Sequence, residues 1–124
     1  MGNVTQVHYT PGAQVTIKAG AALTAGTFVK VSAEWGDRRN PVVVPATAGS
    51  EVLGFVREDA AKDEFVAVHR GKYIADMVAD GAIAAGDPVM IGAAGKVKKH
   101  ADAAPIVGVA VAAAKNNLVA VAMA

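Results

Sequence analysis

Val15 and Ile17 alternate with Gln14, Thr16 and Lys18, a period of two that predicts a short strand with one wet face. Residues 20–26 are a turn of small residues, and Phe28, Val29 and Val31 predict a second strand running on toward Trp35. Val42, Val43 and Val44 stand between Pro41 and Pro45, and the prolines predict an edge strand. Residues 52–56, with Gly54 inside, predict another strand, and residues 58–64 a charged turn with room for one helical turn. Residues 65–69 and 73–78 predict strands on either side of Arg70-Gly71-Lys72. Residues 88–91 and 96–98 predict a hairpin across Gly92-Ala93-Ala94-Gly95, and two core strands at 105–111 and 118–123 close the chain as a second hairpin. Residues 2–10 read as extended, and Pro11-Gly12 then forces a turn.

The pattern runs nearly twice. Leu23-Thr24-Ala25-Gly26-Thr27-Phe28-Val29 returns as Ile83-Ala84-Ala85-Gly86-Asp87-Pro88-Val89. Leu53-Gly54-Phe55-Val56 returns as Val107-Gly108-Val109-Ala110, and Phe65-Val66-Ala67-Val68 as Leu118-Val119-Ala120-Val121. What repeats is apolar residues and glycines, so the duplicated object is a scaffold and not a catalytic site. No stretch keeps apolar residues at helical spacing over several turns. Many short strands bounded by Gly, Pro and Asn predict an all-β fold. The expectation is a small compact β-barrel or β-sandwich built from two related Gly-punctuated halves. Residues 1–12 form an extended N-terminal arm and residues 13–124 a single β domain. Alanine, the commonest residue, argues against strands, but it is interleaved with valine and broken by glycine.

Composition narrows the function. The 124 residues carry a formal charge of +1, with 19% charged residues, so bulk attraction of a polyanion is not expected. The absence of cysteine removes any disulfide framework, thiolate metal site or thiol nucleophile. The start shows no signal-peptide pattern. The apolar stretch over residues 103–124 is interrupted by Lys115, Asn116 and Asn117, too soon for either side to span a bilayer, so no membrane partner is expected.

Candidate chemistry is sparse. His8, His69 and His100 are isolated from one another, so no metal is expected, and His69 reads as a solvated strand end beside Arg70. Asp59, Asp63 and Glu64 lie in a charged turn beside Arg57 and Lys62, where solvation explains them. There is no nucleophile elbow at Ser32 or Ser50 and no phosphate-cradling glycine loop. Catalytic and cofactor-binding residues are therefore read as none. Lys96, Lys98, Lys99 and His100 form the densest basic patch, but no aromatic residues interleave for base stacking, so nucleic acid is not expected as a partner. A clustered pair among His69, Asp76 and Asp80 in a deep pocket would favour an enzyme instead. Trp35, with Asp37, Arg38 and Arg39, has the residue types of an interface hot spot; the alternative is that Trp35 caps one end of the core.

The order Tyr9-Thr10-Pro11-Gly12, Leu23 to Val29, Val52-Leu53-Gly54-Phe55-Val56, Ile83 to Val89, Ile106-Val107-Gly108-Val109-Ala110 and a terminal Val-Ala-Val strand resembles the phage capsid decoration (cement) proteins. The resemblance covers nearly the whole chain and rests on the order and spacing of motifs that are individually weak. It implies a non-enzymatic protein on the outer surface of the expanded phage head, made in the host cytoplasm. There it would bind the major capsid protein, as a homotrimer, and stabilise the shell against internal DNA pressure. By position, Val4, Thr5, Gln6, Val7, His8, Tyr9, Thr10 and Pro11 would be the arm that reaches the capsid. The alternative is a β-domain binding module of a phage head fibre or tail.

Overall fold

In the computed structural model the described residues form ten strands: β1 (Gln14–Ala19), β2 (Thr27–Ala33), β3 (Val42–Pro45), β4 (Gly54–Val56), β5 (Phe65–His69), β6 (Ile74–Val78), β7 (Pro88–Ile91), β8 (Val97–Lys99), β9 (Gly108–Ala110) and β10 (Leu118–Met123). A 3-10 turn at Ala93–Gly95 joins β7 to β8. The structure describes residues 4–5, 12–33 and 40–124. Among these no helix is long and apolar enough to cross a membrane.

The fold is all-β, and its halves repeat as the sequence does. The first five strands close into a barrel in the order β1-β3-β2-β4-β5. The last five form a sheet in the order β6-β10-β9-β7-β8. Matching each strand of the second half to the one five places earlier makes the two orders the same. Val29 pairs with Gly54 and Val89 with Gly108. Leu53 N–H donates to the Val29 carbonyl at 2.8 Å, and Val107 N–H to that of Val89 at 2.9 Å. Gly26 N–H reaches the Val56 carbonyl at 2.9 Å, and Gly86 N–H that of Ala110 at 2.7 Å.

The repeated glycines serve the same purpose in both halves. A Cβ at Gly54 would fall within 3.0 Å of the His69 carbonyl and of Val68 Cγ1. A Cβ at Gly108 would do the same with the Ala122 carbonyl and Val121 Cγ1. Only a residue without Cβ lets β4 approach β5, and β9 approach β10, this closely. Gly26 and Gly86, at φ 77° and 89°, turn the chain into β2 and β7 in the left-handed region.

The halves differ at one seam. In the barrel, β1 and β3 run parallel: Lys18 N–H donates to the Pro41 carbonyl at 2.9 Å, and Gly20 N–H to that of Val43 at 2.7 Å. The matching ends of the second sheet share only the bridge Ala79 to Val97. There Val78 N–H donates instead to the Gly26 carbonyl of the first half, at 2.8 Å. Asp80 N–H still donates to the Val97 carbonyl at 2.7 Å, as Gly20 N–H does to that of Val43, so the turn into β2 meets β6 beside a seam held by this one bridge.

Side-chain alternation divides the core accordingly. Val15, Ile17, Val29, Val43, Val56 and Val68 point into the barrel and fill it. Phe28 and Phe55, next along the chain from Val29 and Val56, point out of it and join Met77, Val89, Ile91 and Val121 in the second core. Burying each ring contributes about 1.5–3 kcal/mol, so the halves are held together as well as linked.

β3 corrects the expected edge strand, because it lies between β1 and β2 in a closed barrel. Ala46 N–H donates to the Phe28 carbonyl on β2 at 3.0 Å. Successive backbone groups point to opposite sides, so the N–H that Pro45 lacks would face away from β2, past the short pairing with β1. Residues 58–64 form no helix; Leu23 and Ala60 bridge there through two backbone hydrogen bonds of 2.8 and 3.0 Å. The two strands expected near the end of the chain are β9 and β10, which pair antiparallel.

Candidate functional site

The two segments that the sequence marks for contact attach to the same strand pair. Of the arm, Val4 and Thr5 are exposed, while Gln6, Val7, His8, Tyr9, Thr10 and Pro11 lie outside the described residues. Trp35, Asp37, Arg38 and Arg39 also lie outside them. Their attachment points are described. The Ala13 carbonyl accepts from Arg70 N–H at 2.9 Å and from the Tyr73 hydroxyl at 3.3 Å, which fixes where the chain leads into β1. Asn40 Nδ2 donates to the Thr16 carbonyl at 3.1 Å. β3 is parallel to β1 and begins beside Lys18, so the backbone preceding each strand is directed toward the same end of the barrel. Gly12 and Thr16 are four residues apart, about 13 Å of extended chain.

Between the halves, four rings form a cluster that sequence reasoning missed. Phe55 lies 6.3 Å from Phe28 and 5.5 Å from Tyr73, both edge-on, and 5.5 Å from His69. His69 and Tyr73 are 5.9 Å apart, also edge-on. His69 is only 7% exposed, which corrects its reading as a solvated strand end. It ends β5 on the outward side of the barrel, where the second half covers it. Burial holds its pKa below the usual histidine value, the positive charge of Arg57 adds to that, and Glu58 opposes it. The available signal was alternation, because Val68 inward requires His69 outward, on the same face as Phe55.

Two clefts flank this cluster. One, of about 560 Å³, opens between Gln14 and Arg57 of the first half and Ile74, Asp76 and Leu118 of the second. The other, of about 280 Å³, lies between Arg70 and the segment of Pro105 and Ile106. His69 and Asp76 share the larger cleft; Asp80 is elsewhere, accepting from Ala93 N–H at 3.1 Å. The larger cleft carries no serine, threonine, cysteine or lysine on its walls; its polar side chains are Gln14, Arg57, His69, Tyr73 and Asp76.

The remaining candidates hold turns. Asp59 Oδ1 accepts from Ala25 N–H at 2.8 Å, and Glu64 Oε1 from Ala61 N–H at 2.6 Å. His100 Nε2 lies 2.9 Å from the Ala104 carbonyl. Among the described residues no group of three or more acidic, histidine or cysteine side chains is placed to hold a metal ion.

Comparison with known proteins agrees with this picture. A family model described as phage cement protein matches residues 8–124. No curated protein matches the chain. Among solved structures, the N base of the head fibre gp8.5 in bacteriophage phi29 superposes with a TM-score of 0.76, at 20% identity, covering 90% of this chain and 92% of that one. At that identity the likeness is one of fold.

Proposed function

Because this chain belongs to the phage cement protein family, we propose that it decorates the outer surface of the expanded phage head by binding the major capsid protein. It stabilises the shell against the pressure of the packaged DNA, and its working form is a homotrimer. The observation that carries this reading is the family match over nearly the whole chain. The attachment geometry supports a division of labour: residues 4–11 reach the shell, and the loop of Trp35, Asp37, Arg38 and Arg39 contacts a neighbouring subunit. An extended arm adds backbone hydrogen bonds to a neighbour's sheet without needing charge. Weak contacts repeated over a lattice then add up to firm attachment.

The fold likeness to a head-fibre base is compatible with a fibre or tail module as the second reading. One experiment separates the two. Purified protein is co-sedimented with expanded, undecorated shells, in parallel with a variant lacking residues 2–10. Decoration requires saturable binding at a fixed ratio to capsid subunits, weakened by the deletion while the fold is kept. A folded protein that stays in the supernatant overturns it and directs attention to fibre and tail partners. Full binding by the truncated variant overturns the role of the arm alone.

A further inference from the structure

The equivalent strand pairs β1/β5 and β6/β10 each turn one face outward. On the second pair that face carries Ile74, Asp76 and Val78 beside Ala122, Ala120 and Leu118. It continues onto β9 through Val109, which pairs with Ala122. Ile74 is 70% exposed and Leu118 45%, and Asp76 is the one charge among these seven residues. On the first pair the face carries Thr16 and Lys18 beside Ala67 and Phe65. Phe65 is 49% exposed, and Lys18 is the one charge, its ammonium 3.8 Å from Asp63 in an exposed pair. One face is thus apolar with a single anion, across a cleft from Arg57 of the same chain, and the other has an exposed aromatic ring beside Lys18 and its exposed partner Asp63.

Within the chain, the outward row of the first half is already an interface. His69, Phe55 and Phe28 are buried against the second half. Their counterparts Ala122, Val109 and Pro88 keep the apolar character but have no third half to cover them. The exposed face of β6/β10 continues that row.

We propose that the β6/β10 face of one copy packs on the β1/β5 face of a second copy, head to tail, with Asp76 opposite the partner's Lys18. The two surfaces differ, so the contact is heterologous, and copies joined this way close into a ring when the rotation permits. The inference deepens the decoration reading and rests on its assembled form by naming the surface through which copies meet.

The chain contains no cysteine, so single-cysteine variants report on this contact without background. Leu118→Cys and Phe65→Cys variants of the full chain are treated with a bismaleimide cross-linker, alone and mixed, in solution and on shells. Cross-linked pairs should form in the mixture and be scarce in either variant alone. Separately, Asp76→Lys and Lys18→Asp should each weaken self-association about tenfold, and the double reversal in one chain should restore it. All four positions are at least partly exposed, so unchanged melting curves verify the fold. Cross-linking of Leu118→Cys chiefly to itself, no cross-linking in either setting, or a double reversal no better than the singles overturns the proposal. Shell co-sedimentation is scored apart. Binding to shells without cross-linking overturns this surface alone, whereas cross-linking without shell binding overturns decoration and leaves the surface standing.

Discussion

Gly108→Ala tests whether the repeated glycines set strand spacing. The new Cβ would stand 2.5 Å from the Ala122 carbonyl oxygen and 2.6 Å from Val121 Cγ1, whereas ordinary contact begins at 3.4 Å. Relief requires β10 to retreat by most of an ångström. That strand is paired on both sides, to β6 and β9, and carries Val119 and Val121 into the core. Overpacking of this kind costs about 1–3 kcal/mol. The alanine also lowers the entropy of the unfolded chain, which returns about 0.4–1 kcal/mol. At a net loss of about 1.3 kcal/mol, a domain of this size should melt about 5 °C lower. Differential scanning calorimetry of the two proteins measures the shift. Gly54→Ala should behave alike, because its Cβ would meet the His69 carbonyl and Val68 Cγ1 in the matching place. A change of less than about 2 °C in either variant would show that the strands yield freely, and would refute close approach as the reason for glycine there.

Phe55→Ala should cost about 3–5 kcal/mol, the usual loss for a buried ring. If residues 13–124 are one domain, it should lower a single unfolding transition, whereas two resolved transitions would show that the halves fold apart. His69 makes stability depend on acid. Its folded pKa lies below the unfolded value, so the unfolded chain binds more protons in that window. Stability should be full above the ordinary histidine value near 6.5 and fall as the pH drops below it. Melting curves at neutral and mildly acidic pH would detect the loss, and a His69→Gln variant with an equally steep fall would assign it to other groups. Trp35→Ala should disturb assembly on shells more than folding; a large drop in melting temperature with normal assembly would make Trp35 a core residue.

Local pattern was enough to find the strands, the two hairpins near the end of the chain and the duplicated scaffold. Alternation with a period of two is imposed by the backbone itself, as Val15 and Ile17 or Val119 and Val121 illustrate. The pairs Gly26/Gly86 and Gly54/Gly108 were visible for a related reason, since a residue forced by backbone geometry leaves its mark at its own position. The arm and the Trp35 loop could be named as contact candidates from residue type alone, but their attachment at one end of the barrel could not. Partner choice lies beyond local pattern, because it is decided by energies between residues far apart in the chain. The prolines around Val42 to Val44 suggested an edge, yet β3 is enclosed because β1 comes back parallel to it. Nothing near Phe28 or Phe55 shows that they leave their own barrel for the core of the other half. That depends on the second sheet pairing its ends at a single bridge and giving the Val78 N–H to Gly26. His69 is the sharpest case: it ends a strand beside Arg70, Gly71 and Lys72, where solvent is the local expectation, and the docking of the second half takes it out of water.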